Sequence, residues 1–191
     1  MGIDCGFNEI WENSKDNSII KDGNIYTIKK NLTLEYISIC DNETIIIDNN
    51  VILKLNNSTC NNYGKLCNYG TIIIGSIKDI GKQYFLNNYG AIHNYNNISI
   101  YKGELHNSGR ITNHDDATIL NRDELINDSI FTNNGVIINH KNNGNIACSK
   151  EINGNNIKNN GSIESKCNSK KKKSYIWAFN NTTGCKYKCY N

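Results

Sequence analysis

The sequence predicts an all-β protein: a single-stranded parallel β-helix, or β-solenoid, with a short N-terminal capping helix and a C-terminal capping strand. A unit of the form Asn-x-Gly-x-Ile recurs through the middle of the chain. Laid over one another, its copies bring aliphatic residues and asparagines into separate columns. The composition supplies both, with 31 isoleucines and 37 asparagines among 191 residues and no proline.

The repeat comes first, because a fixed period governs every other assignment. It reads NYGKLCNYGTIII from Asn62 to Ile74, NYGAIHNYNNISI from Asn88 to Ile100 and NSGRITNHDDATI from Asn107 to Ile119. A fourth copy, NNGVIINHKNNGNI, runs from Asn133 to Ile146, and a degenerate fifth from Asn153 to Ile163. The first glycines, Gly64, Gly90, Gly109, Gly135 and Gly154, are spaced by 26, 19, 26 and 19 residues. This alternation predicts coils with one variable loop, long at 75–87 and 120–132 and short at 101–106 and 147–152.

In that register Leu66, Ile92, Ile111 and Ile137 form one apolar column, Cys60, Leu86, Leu105 and Phe131 a second, and Ile74, Ile100, Ile119 and Ile146 a third. Each coil buries little alone and depends on its neighbours. Two asparagine columns accompany them: Asn62, Asn88, Asn107 and Asn133, then Asn68, Asn94, Asn113 and Asn139. Asparagine suits coil corners because it tolerates left-handed backbone. Its amide also bonds to the equivalent amide one coil away. Gly, Asn and β-branched residues argue against helix. An array of hairpins would use the same Asn-Gly turns but leaves the columns unexplained.

Bare solenoid ends expose strand edges, so caps are expected. Phe7, Ile10 and Trp11 have helical spacing and predict a capping helix over 7–15. From Asn24 to Leu55 short strands alternate with turns at 29–31, 41–42 and 48–50. After the lysine run 170–173, Tyr175, Trp177 and Phe179 alternate and predict a capping strand with one aromatic face. The organisation expected is a cap with first strands at 1–36, solenoid repeats at 37–163 and a basic, Cys-containing cap at 164–191.

A mean hydropathy of −0.57 raises the question of disorder. Disordered chains pair low hydrophobicity with high net charge and few β-branched residues. Here the net charge is only +3 and isoleucine dominates. Because Asn, Ile, Lys and Tyr all have A/T-rich codons, position carries more weight than abundance. No run approaches the ~20 apolar residues of a membrane helix, and no basic segment precedes an apolar one at the N-terminus. Synthesis in the cytoplasm without a signal peptide, and no membrane insertion, are therefore expected. Met1-Gly2 opens like a myristoylation signal, but Gly6 stands where that motif needs Ser or Thr.

Eight cysteines are present. Reduced thiols are the preferred reading. A disulfide between Cys185 and Cys189 in the C-terminal cap comes second, and a metal site third, since C-x-x-C spacing is missing. The lysine run reads as a solvated loop ahead of a nucleic-acid contact. Neither metal nor cofactor is expected.

The segment from Thr44 to Leu55, followed by the Asn-Tyr-Gly units from Asn62, resembles Asn-rich repeat proteins with pectin-lyase-like β-helices, familiar from large DNA viruses of amoebae and from bacterial surface proteins. The resemblance covers roughly residues 37–163. It implies a β-helix and, for a viral protein, a place in a virion or surface assembly.

Polysaccharide lyases and hydrolases share this architecture, so catalysis has to be weighed. Asp115-Asp116 beside His114 is the one adjacent carboxylate pair next to a histidine. Glycoside hydrolysis needs two carboxylates across a bond, about 5–10 Å apart, whereas neighbouring strand residues face opposite ways. Both aspartates also align with Asn96 and Asn97, as corner residues do. Only Arg110 and Arg122 offer guanidinium groups, and no acidic cluster accompanies them. Repeated Thr-x-Thr faces, which would suggest ice binding, are missing. The expectation is a non-catalytic structural solenoid contacting other structural proteins or copies of itself. The alternative is glycan binding through an outward strip of Tyr69, Tyr95, His114 and His140.

Overall fold

A computed structural model describes residues 6–14, 16–56, 59–76 and 83–140, with strands at 145–148, 152–154, 157–159 and 162–165. It opens with helix α1 (Asn8–Asn13) and strand β1 (Ile19–Asp22). Strands then come in threes: β2 (Ile25–Ile28), β3 (Leu32–Leu34) and β4 (Ile37–Ile39), next β5 (Thr44–Ile47), β6 (Ile52–Leu55) and β7 (Thr59–Asn62). The third set is β8 (Lys65–Asn68), β9 (Thr71–Ile74) and β10 (Phe85–Asn88), the fourth β11 (Ala91–Asn94), β12 (Asn97–Ile100) and β13 (Glu104–Asn107). Then follow β14 (Arg110–Asn113), β15 (Thr118–Asn121) and β16 (Glu124–Asn127), then β17 (Ile130–Asn133), β18 (Val136–Asn139) and β19 (Asn145–Cys148). The last set is β20 (Ile152–Gly154), β21 (Ile157–Asn159) and β22 (Ser162–Ser165).

Every third strand pairs, so the chain winds through three sheets in turn: β1-β2-β5-β8-β11-β14-β17-β20, then β3-β6-β9-β12-β15-β18-β21, then β4-β7-β10-β13-β16-β19-β22. All pairs are parallel except β1 with β2. The antiparallel β1 covers the starting edge of the first sheet, which would otherwise offer unpaired peptide groups. Parallel stacking thus begins at Ile25, within the stretch read as cap and first strands.

A four-residue strand places its second and fourth residues inward. The second position is apolar in every coil: Tyr26, Ile45, Leu66, Ile92, Ile111 and Phe131 in the first sheet. In the second sheet it holds Leu53, Ile72, Ile98, Ile119 and Ile137, and in the third Ile37, Cys60, Leu86, Leu105, Leu125 and Ile146. All are buried. Each isolated coil exposes most of this surface, and at about 25 cal/mol per Å² removed from water it is stacking that stabilises the chain.

The fourth position, at the corner, changes character along the axis. In the first sheet it runs Ile28, Ile47, Asn68, Asn94, Asn113, Asn133. In the second it runs Leu55, Ile74, Ile100, Asn121, Asn139, and in the third Ile39, Asn62, Asn88, Asn107, Asn127. Aliphatic corners therefore give way to amide corners towards the C-terminal end.

The true register corrects the sequence alignment beyond Gly109. Asn107 stacks on Asn127, whereas Asn133 follows Asn113 and Asn139 follows Asn121 in a third ladder. Residues 120–132 are no long loop; they carry β16 and parts of β15 and β17. Ile137 accordingly belongs with Ile119 in the second sheet, and Phe131 with Ile111 in the first. The columns of Leu66, Ile92 and Ile111 and of Cys60, Leu86 and Leu105 stand as aligned.

Neither the ladder asparagines nor the corner glycines use the left-handed backbone that asparagine tolerates; among the described residues positive φ occurs at Gly23, Gly75 and Gly103, with Asn17, Asn50 and Asp116. Gly90 is glycine for want of space, since a Cβ there would lie 2.1 Å from the carbonyl oxygen of Gly64 one coil below.

At the N-terminal end, α1 is shorter than the 7–15 span predicted. Phe7 just ahead of it is fully buried against Tyr26, ring centroids 5.4 Å apart, and Ile10 and Trp11 pack on the core beside it. The buried carboxylate of Glu43 accepts hydrogen bonds from the Phe7 N–H at 3.0 Å and the Cys40 N–H at 2.9 Å. One side chain so ties the cap to a coil corner. The proposed C-terminal cap, with Tyr175, Trp177, Phe179, Cys185 and Cys189, lies outside the described residues.

Candidate functional site

Two sets of side chains stand at the corners, one inside and one outside. Inside, Asn62, Asn68, Asn88, Asn94, Asn107 and Asn113 each direct the amide Nδ2 at two acceptors or more. Asn62 Nδ2 donates to Asn88 Oδ1 at 2.7 Å and to the Ala91 carbonyl at 3.1 Å; Asn88 repeats this with Asn107 Oδ1 and the Arg110 carbonyl. Asn68, Asn94, Asn113 and Asn133 form the second chain, with 2.7 Å at every step. Because Nδ2 faces two acceptors, a flipped amide would set oxygen against oxygen, so the orientation is fixed by its surroundings. The ladder residues are at most 2% exposed. A buried amide tolerates that position only when it is hydrogen-bonded.

All the amides point the same way, Nδ2 of one coil to Oδ1 of the next. At the starting rungs this leaves Asn62 Oδ1 and Asn68 Oδ1 without donors, because Ile39 and Ile47 stand beneath them. In the third ladder the Asp123 N–H reaches Asn121 Oδ1 at 3.3 Å.

Outside, the residue after each ladder asparagine projects from the corner. Tyr69 and Tyr95 stack with centroids 4.5 Å apart and planes 4° from parallel; Tyr95 and His114 continue at 4.0 Å and 9°. Burial, together with Tyr69, pushes the Tyr95 hydroxyl above the usual phenol range. A second stack, Tyr63 on Tyr89 at 5.0 Å, stands at the third-to-first-sheet corner. At the remaining corner the Arg122 guanidinium lies over Tyr101, 5.1 Å from its centroid.

Three of the four strip residues are thus brought together. His140 is not: its N–H bonds to the Asn121 carbonyl, which places it at the corner of Tyr101 and Arg122. Asp115 and Asp116 do not align with Asn96 and Asn97 either, because Asn97 pairs with Thr118. They form an exposed two-residue extension of the corner, closed by the Ala117 N–H on the His114 carbonyl, with Asp116 at φ +63°. Arg110 starts β14 on the outer face.

Two clusters escaped the sequence reading. His93, outward in β11, brings Nδ1 within 3.2 Å of His114 Nε2. Burial and the charges of Lys65, His114 and Arg110 hold its imidazole below the usual histidine range. His106 lies between two carboxylates, Nε2 2.8 Å from Asp128 and Nδ1 3.6 Å from Glu104. The signal for both was strand parity, since His93 and His106 occupy third, outward positions.

The fold and its amide columns define a β-helix repeat protein. Comparison with protein-family models, with curated proteins and with solved structures finds no match.

Proposed function

We propose that the chain is a non-catalytic structural solenoid, an element of a virion or surface assembly that contacts other structural proteins or further copies of itself. The observation that supports this most is the inward commitment of its polar chemistry. Buried Asn-to-Asn bonds join coil to coil. They favour one rigid register over many. The outer ridges of stacked tyrosines suit protein contacts, where such rings supply area at low entropic cost. The resemblance to Asn-rich β-helix proteins of large DNA viruses and bacterial surfaces adds the location.

Glycan binding through Tyr69, Tyr95 and His114 is the second reading, favoured by the exposure of both tyrosines, 38% and 37%. Against it, the rings cover one another's faces, and sugars stack on faces. Fractionation separates the two. Recovery in assembled particles or surface layers, with chemical cross-links from the tyrosine corners to neighbouring proteins, supports the structural role. A soluble monomer that binds a glycan array, and loses binding as Tyr69→Ala and Tyr95→Ala, overturns it.

A further inference from the structure

We propose that His93 and His114 form a surface site for a borderline transition-metal ion, Zn2+, Ni2+ or Cu2+, held by two imidazoles with water in the remaining positions. The geometry carries the assignment. Two nitrogens at about 2.0–2.1 Å from one ion, at a near-tetrahedral angle, are roughly 3.3 Å apart. His93 Nδ1 and His114 Nε2 are separated by 3.2 Å. They come from consecutive coils, so the ion takes the place of the proton between them and cross-links two rungs. That proton moves to the far nitrogen of the ring that carried it, and both imidazoles stay neutral.

Preorganisation favours the pair. His114 is held by its stack on Tyr95 and by its N–H on the Asn94 carbonyl. His93 is fixed by the strand, with centroids of the two imidazoles 5.5 Å apart. Metal ligands must be deprotonated, and burial with Lys65, His114 and Arg110 nearby holds the His93 imidazole below its usual range. Lys65 and Arg110 also repel a dication. Cys67 pairs in register with His93, but burial raises its thiol, so it is not a ready thiolate. Among the described residues no group of three His, Cys, Asp or Glu side chains gathers as a metal set. The ion therefore keeps open positions. His106 offers no such imidazole pair: its nitrogens face the carboxylates of Asp128 and Glu104, and these three do not gather as a metal set.

The test is a Zn2+ titration of the full, reduced chain, followed by 15N–1H spectra of the imidazoles. Site-resolved signals separate this pair from the cysteines. The expected result is a saturable shift of His93 and His114 together, lost as pH falls from 7 to 5. His93→Gln and His114→Gln should each weaken that binding on the order of tenfold or more, as loss of one arm of a chelate does, while His106→Gln leaves it unchanged. Unmoved His93 and His114 signals at millimolar Zn2+ in the unsubstituted chain overturn the proposal, whatever the folding of the variants. So does wild-type affinity in His93→Gln.

Discussion

Asn68 Nδ2 donates to Asn94 Oδ1 at 2.7 Å, yet Asn68 Oδ1 accepts nothing, because its neighbour one coil earlier is Ile47. The ladder thus has a poor end and a complete middle. Asn94 accepts from Asn68 and donates to Asn113. Position within a ladder should therefore matter more than residue type.

The consequence is a graded cost. Asn94→Leu strands an N–H of Asn68 and the Oδ1 of Asn113, at about 1–3 kcal/mol for each orphaned group. Asn68→Ile extends the Ile28–Ile47 column, removes an existing orphan and creates one at Asn94 Oδ1. The urea midpoint should fall clearly for Asn94→Leu and by less than half as much for Asn68→Ile. Equal losses would mean that the first-rung oxygen is solvated.

Gly90 and Gly23 separate two reasons for glycine. Gly90→Ala drives a Cβ into the Gly64 carbonyl oxygen, so two coils must part and their sheet bonds lengthen. Gly23 has φ +58° and nothing within 4 Å of an added Cβ, so alanine there meets only the left-handed penalty, roughly 1–2 kcal/mol. Gly90→Ala should lower the melting temperature well beyond Gly23→Ala, and Gly23→Asn should recover most of the smaller loss.

Much of this architecture was legible because inward positions are nearly uniform: apolar at the second residue of a strand, and at the fourth aliphatic in the early coils and asparagine further on. The alignment slipped for a physical reason. An Asn-x-Gly corner occurs at more than one of the three corners, as Asn62-Tyr63-Gly64, Asn68-Tyr69-Gly70 and Asn133-Asn134-Gly135 show. Gly135 was matched to Gly109, although the two stand at different corners. The 26-residue spacing between them is one coil plus one strand and corner. The same shift displaced His140 from the aromatic strip, concealed the Asn121–Asn139 ladder and left Asn127 out of the first. The His93–His114 contact depends on which way a corner side chain swings, and no spacing encodes that.

Glu43 should control the cap without disturbing the coils. Its carboxylate accepts from the N–H groups of Phe7 and Cys40, and hydrogen bonds to a charged group are worth about 1.5–3 kcal/mol. Glu43→Ala should speed amide exchange at Phe7 and Trp11 while the Asn94 and Asn113 amides stay protected. Uniform acceleration along the chain would show that cap and coils open as one unit.

Cys60 links stability to alkaline pH. It fills a second-position slot between Ile37 and Leu86, 1% exposed, and burial pushes its thiol up to about 12. An unfolded cysteine titrates near 8.5, so the unfolded chain releases this proton first. A folded pKa above the unfolded one contributes stability that is complete below pH ~8.5 and declines as pH rises towards about 12. Cys67, raised in the same direction, adds to the slope. Urea midpoints of the reduced protein should hold steady from pH 6 to 8 and then fall. Cys60→Ala should flatten that fall while lowering the plateau through lost packing, about 1 kcal/mol for a small buried group. A thiol reagent at pH 8 should reach Cys60 only as the coils open. Rapid labelling under native conditions, or an alkaline slope unchanged in Cys60→Ala, would contradict its place in the sealed column.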